Sequence, residues 1–341
     1  MDAEASEVVR EMRPHRVVEV SDEGMGLQAF IVLDSLVLGP AAGGIRTAVY
    51  GSQAEAVSDA CRLARTMTIK CALAGLDAGG GKAVVMDRPE LDRAAGFALL
   101  GRRIESLGGQ FRTSGDLGTT DADLAVVAQH TRYVHTDTGR LSSAVARGVL
   151  RCIEACVDFK GRSSVSGLTA VVQGCGDIGS AVARALTEAG VKLYLADIDV
   201  PVAEALAGAL GAEVIDPQEA LTADVDIVSP CAVGDVLSPD VAQSLRAWVV
   251  CGGANHITTS EEADRVLHSR GVLFIPDIVT SAGAAIEGIG RTVMGLDDRR
   301  PLLDALGDTA RALLEDAAKA NTPPLVHARA RALRRIEAAQ R

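Results

Sequence analysis

Residues 168–189 read Leu-Thr-Ala-Val-Val-Gln-Gly-Cys-Gly-Asp-Ile-Gly-Ser-Ala-Val-Ala-Arg-Ala-Leu-Thr-Glu-Ala. The apolar run 168–172 predicts a short strand and the periodicity from Gly179 a helix, so Gly174, Gly176 and Gly179 make a G-x-G-x-x-G turn between them. The first glycine permits the tight turn, the second lets backbone approach a pyrophosphate, and the third lets helix pack on strand. Asp177 and Ile178 complete the hexapeptide at the helix N-terminus, where unpaired N–H groups favour an anion. The next apolar run, 193–196, leads to Asp197, 18 residues beyond Gly179. A carboxylate at that place bonds a ribose 2′-hydroxyl and repels a 2′-phosphate, so the predicted cofactor is NAD rather than NADP.

Working outward, strands at 168–172, 193–196, 227–229 and 248–251 alternate with helices at 179–189 and 202–210. That alternation predicts an α/β fold with a doubly wound parallel sheet. Its beginning is marked near Ser143, where Val145, Val149, Cys152, Ile153 and Cys156 repeat at helical spacing. The reading is a Rossmann domain over 143–309 preceded by a second α/β domain over 1–142. In the latter, runs at 17–20, 29–33 and 36–38 read as strands of a small sheet, and Pro40 to Gly44 as a turn. Ser52-Gln53-Ala54-Glu55 has the form of a capping box, opening a helix over about 52–67 that brings Lys70 to its C-terminal end. Gly79, Gly80 and Gly81 read as a glycine-rich turn, with Lys82 opening a strand over 83–86.

The chain of 341 residues has 34 Lys+Arg against 45 Asp+Glu, a net charge of −11, and 48% apolar residues. Two cores fit this length, disorder does not fit this composition, and the charge has the wrong sign for a nucleic-acid partner. No stretch reaches the roughly 20 apolar residues of a membrane helix, and the N-terminus is acidic, which predicts a cytoplasmic protein with no membrane partner. Seven cysteines without a C-x-x-C pair suit buried thiols, with no disulfide and no metal expected. Only five of the basic residues are lysine: Lys70, Lys82, Lys160, Lys192 and Lys319. Where arginine is the default cation, a lysine among apolar and glycine residues points to chemistry a guanidinium cannot do, namely losing its proton.

The stretch holding two of these lysines resembles the amino-acid dehydrogenases of the glutamate, leucine, phenylalanine and valine type, nearest the leucine, valine and phenylalanine branch. The resemblance rests on Gly43, Gly44 and Arg46, on the run from Arg62 to Lys70, and on Ala74 to Val84 with its Gly79-Gly80-Gly81-Lys82. It continues through Asp116-Leu117-Gly118-Thr119-Thr120, the Gly174 turn, Asp197, Pro230-Cys231-Ala232 and Pro276-Asp277. It implies an NAD-dependent, reversible oxidative deamination of an α-amino acid to a 2-oxo acid and ammonia, by hydride transfer from Cα to nicotinamide. In this pattern Lys70 holds the α-carboxylate beside Ala42, Gly43, Gly44 and Met67, Lys82 is the general base, and Asp116 shuttles protons. Cys231, Ala232 and Asn255 join the glycine turn in holding the cofactor. The resemblance further implies a homo-oligomer, assembled through the N-terminal domain, and C-terminal helices from about 310 to 341 that pack back on that domain.

Ala42 is smaller than the residue usual there in branched-chain enzymes, which favours a bulky apolar or aromatic substrate. The turn from Pro40 to Gly44 has no cation to pair with a side-chain carboxylate, which argues against glutamate. Three positions depart from the family pattern: Val145 where threonine is usual, His256 where asparagine is usual, and Ser281-Ala282-Gly283-Ala284 in place of Asn-Ala-Gly-Gly. They leave two other readings open, a non-catalytic NAD-binding regulatory protein and a specialised biosynthetic dehydrogenase for an unusual amino acid.

Overall fold

In the computed structural model, which describes residues 1–137 and 139–341, the chain divides into two units. Residues 1–137, Gly288–Asp297 and Ala332–Arg341 form the first, and Gly139–Glu287 with Asp298–Arg331 the second.

The first unit contains α1 (Ala3–Met12), β1 (Arg16–Asp22), β2 (Leu27–Leu33), β3 (Ala41–Ala42), β4 (Ile45–Ala48), α2 (Gln53–Leu73), β5 (Gly79–Met86), α3 (Arg93–Ser106), β6 (Phe111–Arg112) and α4 (Asp121–Ala128). Strand β5 is central. It pairs antiparallel with β2 along one edge, and parallel with β3 and then β4 along the other; β1 extends the sheet beyond β2 and β6 beyond β3. The side-chain alternation of a strand sorts β5 between two cores. Ala83 and Val85 pack with Phe97, Leu100 and Ile104 of α3, whereas Val84 and Met86 pack with Val57, Ala60, Cys61 and Ala64 of α2. By the same alternation Lys82 belongs to the α2 face.

Three local expectations are corrected. Residues 79–81 are not a turn but the first three residues of β5, all buried. Their glycines are required by packing: a Cβ on Gly79 would lie 1.8 Å from the Ser35 carbonyl oxygen, and one on Gly80 2.1 Å from that of Ala64 in α2. Helix α2 runs past Met67 to Leu73, because nothing interrupts it before Gly75, whose positive φ of 72° ends the run. Residues 36–38 form no strand; the N–H groups of Asp34 and Ser35 both reach the Gly80 carbonyl, closing the ladder, and the chain leaves the sheet there.

The second unit begins with α5 (Leu141–Phe159) and continues through β7 (Thr169–Gln173), α6 (Asp177–Glu188), β8 (Lys192–Ala196), α7 (Val200–Leu210), β9 (Glu213–Val214), β10 (Ile227–Pro230), α8 (Pro239–Ser244), β11 (Val249–Val250), α9 (Glu261–Ser269), β12 (Leu273–Phe274) and α10 (Asp277–Thr280). Its six strands are parallel in the order β12-β11-β10-β7-β8-β9. Counted from β7 this is 3-2-1-4-5-6, the doubly wound Rossmann order, whose direction reverses between β7 and β10.

Helices α11 (Gly283–Thr292), α12 (Arg300–Ala320) and α13 (Pro324–Gln340) complete the chain. The tail divides otherwise than the resemblance implied, since only residues 332–341 of the stretch from 310 fall in the first unit. Helix α12 stays with the second because Leu303, Leu306, Leu313 and Leu314 are buried there and Asp304 accepts from Arg147 and Arg151 of α5 at 2.8 Å. Among the described residues no helix is long and apolar enough to cross a membrane.

Candidate active site

Lys82, Arg46 and Asp116 meet in the first unit. Lys82 is 6% exposed, and its Nζ donates to Oδ2 of Asp116 at 2.5 Å. Asp116 sits in a turn fixed from several sides. Gly118 has φ 75° and leaves no room for a Cβ, which would lie 1.9 Å from the Thr47 carbonyl oxygen. Arg93 donates to the Gly118 carbonyl at 2.9 Å, and Thr120 and Asp123 form a reciprocal capping box that starts α4 immediately afterwards. Thr119 donates its hydroxyl to the Ile45 carbonyl at 2.7 Å, tying the turn to β4.

Around this pair lie the small residues expected there. A Cβ on Gly44 would come within 2.9 Å of Asp116 Cβ, and one on Gly43 would strike the Gly81 carbonyl at 1.8 Å and meet Met67 Cγ at 3.5 Å. Ala42 is buried in β3 opposite Gly80. Lys70, also buried, follows Met67 by three residues in the last turn of α2, so the two share a helix face. That last turn is anchored by Arg335, which donates to the carbonyls of Cys71 and Ala72 at 3.2 and 3.0 Å. Such carbonyls have no partner within a helix.

The electrostatics give the two members of the pair different states. Burial pushes the Lys82 pKa below the ordinary lysine range, against the pull of the Asp116 charge. Burial also pushes Asp116 upward, but the charges of Lys82 and Arg46 and the Leu117 N–H outweigh it and hold that carboxyl below its usual value. The result is an ionised carboxylate bonded to an amine that gives up its proton more readily than a free lysine. Arg46 is the residue whose role the sequence did not disclose. Its Nε donates to the same Asp116 oxygen at 3.1 Å and its Nη1 to Asp59 of α2 at 3.2 Å, a bridge between side chains 70 and 13 residues away for which no local spacing gives a signal.

In the second unit the nucleotide turn has the required geometry. Gly174 has φ 93°, and a Cβ there would lie 2.6 Å from the Ala232 backbone nitrogen; one on Gly179 would lie 1.7 Å from the Gly174 carbonyl oxygen. Gly176 differs, since a Cβ there would meet nothing within 4 Å. It is the N-cap of α6, followed by Asp177 and Ile178. Asp197 follows β8 with its carboxylate fixed by two backbone donors, Cys175 N–H at 2.6 Å and Asp199 N–H at 2.9 Å. Cys231 leaves β10 with its N–H on the Gln173 carbonyl at 2.7 Å, and its thiol accepts from Gly253 N–H at 3.5 Å.

The three departing positions also lie in this unit. Val145 is buried 3.3 Å from where a Gly253 Cβ would be, beside Ile178. Ser281 donates to Asn255 Oδ1 at 3.0 Å and to the Asp277 carbonyl at 2.6 Å. His256 has φ 52° and its N–H is held by the Asp277 carboxylate at 2.9 Å.

Comparison with known proteins agrees with both halves. Residues 14–133 match the family model described as the Glu/Leu/Phe/Val dehydrogenase dimerisation domain, and residues 195–287 match that of the glutamate/leucine/phenylalanine/valine dehydrogenases. The chain is 34% identical over 332 residues to the leucine dehydrogenase of Geobacillus stearothermophilus, covering 94% of this chain and 90% of that one. It is 34% identical over 315 residues to the phenylalanine dehydrogenase of Lysinibacillus sphaericus, covering 88% and 82%. The crystal structure of L-tryptophan dehydrogenase from Nostoc punctiforme superposes with a TM-score of 0.87 at 32% identity, covering 98% of this chain and 99% of the other. With its lysine-bearing first unit and its NAD(P)-binding Rossmann unit, the chain belongs to the Glu/Leu/Phe/Val dehydrogenase family, on the branch of apolar and aromatic amino-acid dehydrogenases, and is an oxidoreductase of that family.

Proposed function

We propose that the protein catalyses the NAD-dependent, reversible oxidative deamination of a bulky apolar or aromatic L-amino acid to its 2-oxo acid and ammonia, as a homo-oligomer. The observation that carries this reading is the buried Lys82 amine bonded to the ionised Asp116 carboxylate.

The second unit has residues that fit a dinucleotide. Open space at Gly176, a helix N-terminus behind it and the fixed Asp197 carboxylate suit a pyrophosphate and a ribose with a free 2′-hydroxyl. Cys231, Ala232 and Asn255 complete the set of cofactor residues in this reading, and the Ser281–Asn255 bond supports a polar group retained where the family pattern departs. Bound NAD supplies the acceptor for the hydride that leaves Cα, generating an iminium on the substrate.

The chain's own residues do the rest. Lys70 binds the α-carboxylate as a point charge, beside Gly43, Gly44 and Met67. Lys82, neutral, takes a proton from water as that water adds to the iminium carbon. Asp116 relays that proton from Lys82 to the nitrogen, and the amine, neutral again, takes the remaining hydroxyl proton as ammonia is expelled, which leaves the 2-oxo acid. The small Ala42 and the absence of a cation in the Pro40 to Gly44 turn support an apolar, bulky substrate side chain. Leucine, phenylalanine and tryptophan are the substrates in the names of the similar enzymes.

The test is NADH formation at alkaline pH across L-amino acids from valine to tryptophan, with NADP in parallel. Turnover is expected for large apolar or aromatic substrates with NAD, and Lys82→Ala is expected to lower it by about 10²–10⁴-fold. Nucleotide binding without turnover on any amino acid, or undiminished turnover in Lys82→Ala or Asp116→Asn, would overturn the reading.

A further inference from the structure

Asp116 is bonded by more than Lys82. The Oδ2 atom that accepts from Lys82 Nζ at 2.5 Å also accepts from Arg46 Nε at 3.1 Å. The other arm of the same guanidinium reaches Oδ2 of Asp59 at 3.2 Å, and that oxygen also accepts from the Tyr50 hydroxyl at 2.9 Å. Arg62 closes the far end, donating to Asp59 Oδ1 at 2.6 Å. Charges therefore alternate along one continuous line, Lys82, Asp116, Arg46, Asp59, Arg62, drawn from β5, the turn before α4, β4 and α2. Its inner members are shielded from solvent, with side-chain exposures of 8% for Lys82, 27% for Asp116, 22% for Arg46 and 16% for Asp59. Screening is weaker there than between surface charges. A planar guanidinium donates from two fixed edges to two different carboxylates, a bridge that an ammonium cannot reproduce.

We propose that Arg46 is a positioning residue that acts on Lys82 through Asp116, sharing the carboxylate oxygen that Lys82 uses and locking it to α2 through Asp59. The proposal rests on the reading of Lys82 as the general base. Two cations compete for one oxygen, so Asp116 stabilises the Lys82 ammonium less than it would alone, and the base is available at lower pH. Asp59 acts in the opposite sense, because its negative charge satisfies Arg46 and also stabilises the Lys82 ammonium. The electrostatic directions agree with the geometry: after burial, which lowers the Lys82 pKa, and Asp116, which raises it, Arg46 lowers it and Asp59 raises it. Tyr50 is a hydrogen donor in this line, its pKa raised by burial and by the bond to Asp59 so that it keeps its proton.

The opposite signs supply a test that a scaffolding role does not pass. The acidic limb of the pH profile of kcat/KM for oxidative deamination reports protonation of the base. Arg46→Gln is expected to move that limb to higher pH by about one unit, and Asp59→Asn, which keeps the shape and the acceptor for Tyr50, to move it lower by about half a unit. Arg46→Lys, which restores the charge without the bridge, is expected to fall between Arg46→Gln and the wild type. Melting temperatures of all variants are measured alongside. A limb unmoved in Arg46→Gln, or moved in the same direction by Arg46→Gln and Asp59→Asn, would overturn the proposal.

Wild-type turnover and its loss in Lys82→Ala are measured first, so that failure of the catalytic reading is seen separately. In that event the same order is read without turnover. Trace acylation with acetic anhydride across pH, followed by peptide mapping, gives the pH of half-reactivity of Lys82, with exposed Lys160 as internal reference; the small number of lysines makes each peptide distinct. The expected order is Asp59→Asn, wild type, Arg46→Gln from low to high pH, and any other order overturns the proposal.

Discussion

The site glycines of the first unit are filled by the protein itself, whereas one glycine of the turn before α6 in the second is left open. In the first, Gly80 of β5 is pressed against α2 and Gly43 of the 43–44 pair against the Gly81 carbonyl. Their missing side chains let helix and strand approach closely enough to gather Lys82, Asp116 and Arg46, which are side chains from distant parts of the sequence. In the second unit, Gly174 and Gly179 are likewise filled by neighbouring backbone, but Gly176 at the start of α6 faces open space. One site is built of side chains that glycine allows to converge, the other of backbone that glycine leaves uncovered.

The largest expected effect separates these uses. Gly80→Ala would place a methyl group 2.1 Å from the Ala64 carbonyl oxygen and 2.2 Å from the Thr68 nitrogen, both helix backbone that cannot step aside. It should cost about 3 kcal/mol or more in stability and disturb the seat of Lys82. Gly176→Ala has room and an unstrained φ of −68°. It should leave stability within about 1 kcal/mol and, on the proposed reading that the pyrophosphate approaches this backbone, weaken NAD binding by about tenfold. Denaturant unfolding and calorimetric NAD titration of both variants check the pair. If Gly176→Ala lost stability and kept its NAD affinity, the contrast between filled and open glycines would fail.

The same contrast explains what the sequence disclosed. The Rossmann unit was legible because its signals are local: G-x-G-x-x-G between strand and helix, then an acid at the next strand end. The doubly wound parallel sheet follows from the alternation of its elements, and the handedness of their connections restricts the strand orders it can take. The first unit was legible where residues were unusual, as with two lysines in an arginine-rich chain, and where they resembled a known family. It was not legible in the course of residues 79–81, since glycines that read as a turn by propensity are held in a strand by α2 and by the carbonyl of Ser35. Nor was the Arg46–Asp59 bridge, because charged residues on β4 and α2 carry no mark of which partner they face until the sheet is assembled. The division of the tail was not legible for a related reason: the apolar stripe of α12 fits any complementary groove, and the bonds that join it to α5, from Arg147 and Arg151 to Asp304 and from the Cys152 thiol to the Leu306 carbonyl, form between residues more than 150 positions apart.

A second prediction sharpens the backbone-built site. The Asp197 carboxylate is held by the N–H groups of Cys175 and Asp199, so its charge is fixed in place rather than mobile. On the proposed reading, replacing it by Ser removes the repulsion of a 2′-phosphate and exchanges the carboxylate acceptor of the ribose for a shorter, uncharged hydroxyl. The ratio of kcat/KM for NAD over NADP should fall by about 10–100-fold, equivalent to about 1.4–2.7 kcal/mol. A ratio unchanged in Asp197→Ser would move cofactor discrimination elsewhere in the turn.

The smallest effect compares a half-buried carboxyl with a buried one. Burial pushes both Asp116 and Asp264 upward, but Asp116 has Lys82 and Arg46 to reverse the shift. For Asp264, on α9, burial is the largest influence and outweighs a hydrogen bond from Thr258 and the charge of Arg329, while Asp277 and Glu261 reinforce the rise. Its Oδ1 has no hydrogen-bond partner among the described residues, and its pKa is raised from 3.8 to about 6. A folded-state value above the unfolded one gives stability that is present in full below about pH 4 and lost as pH rises through about 6. Asp264→Asn keeps an acceptor for Thr258 and has no charge to bury. The variant should therefore match the wild type near pH 4 and exceed it above pH 7 by about 1–2 kcal/mol, after allowance for partial solvent screening, or about 2–4 °C in Tm. Thermal melts at pH 4.5, 6 and 8 check this, and a constant difference across the three would mean that packing, not the charge of Asp264, separates the two proteins.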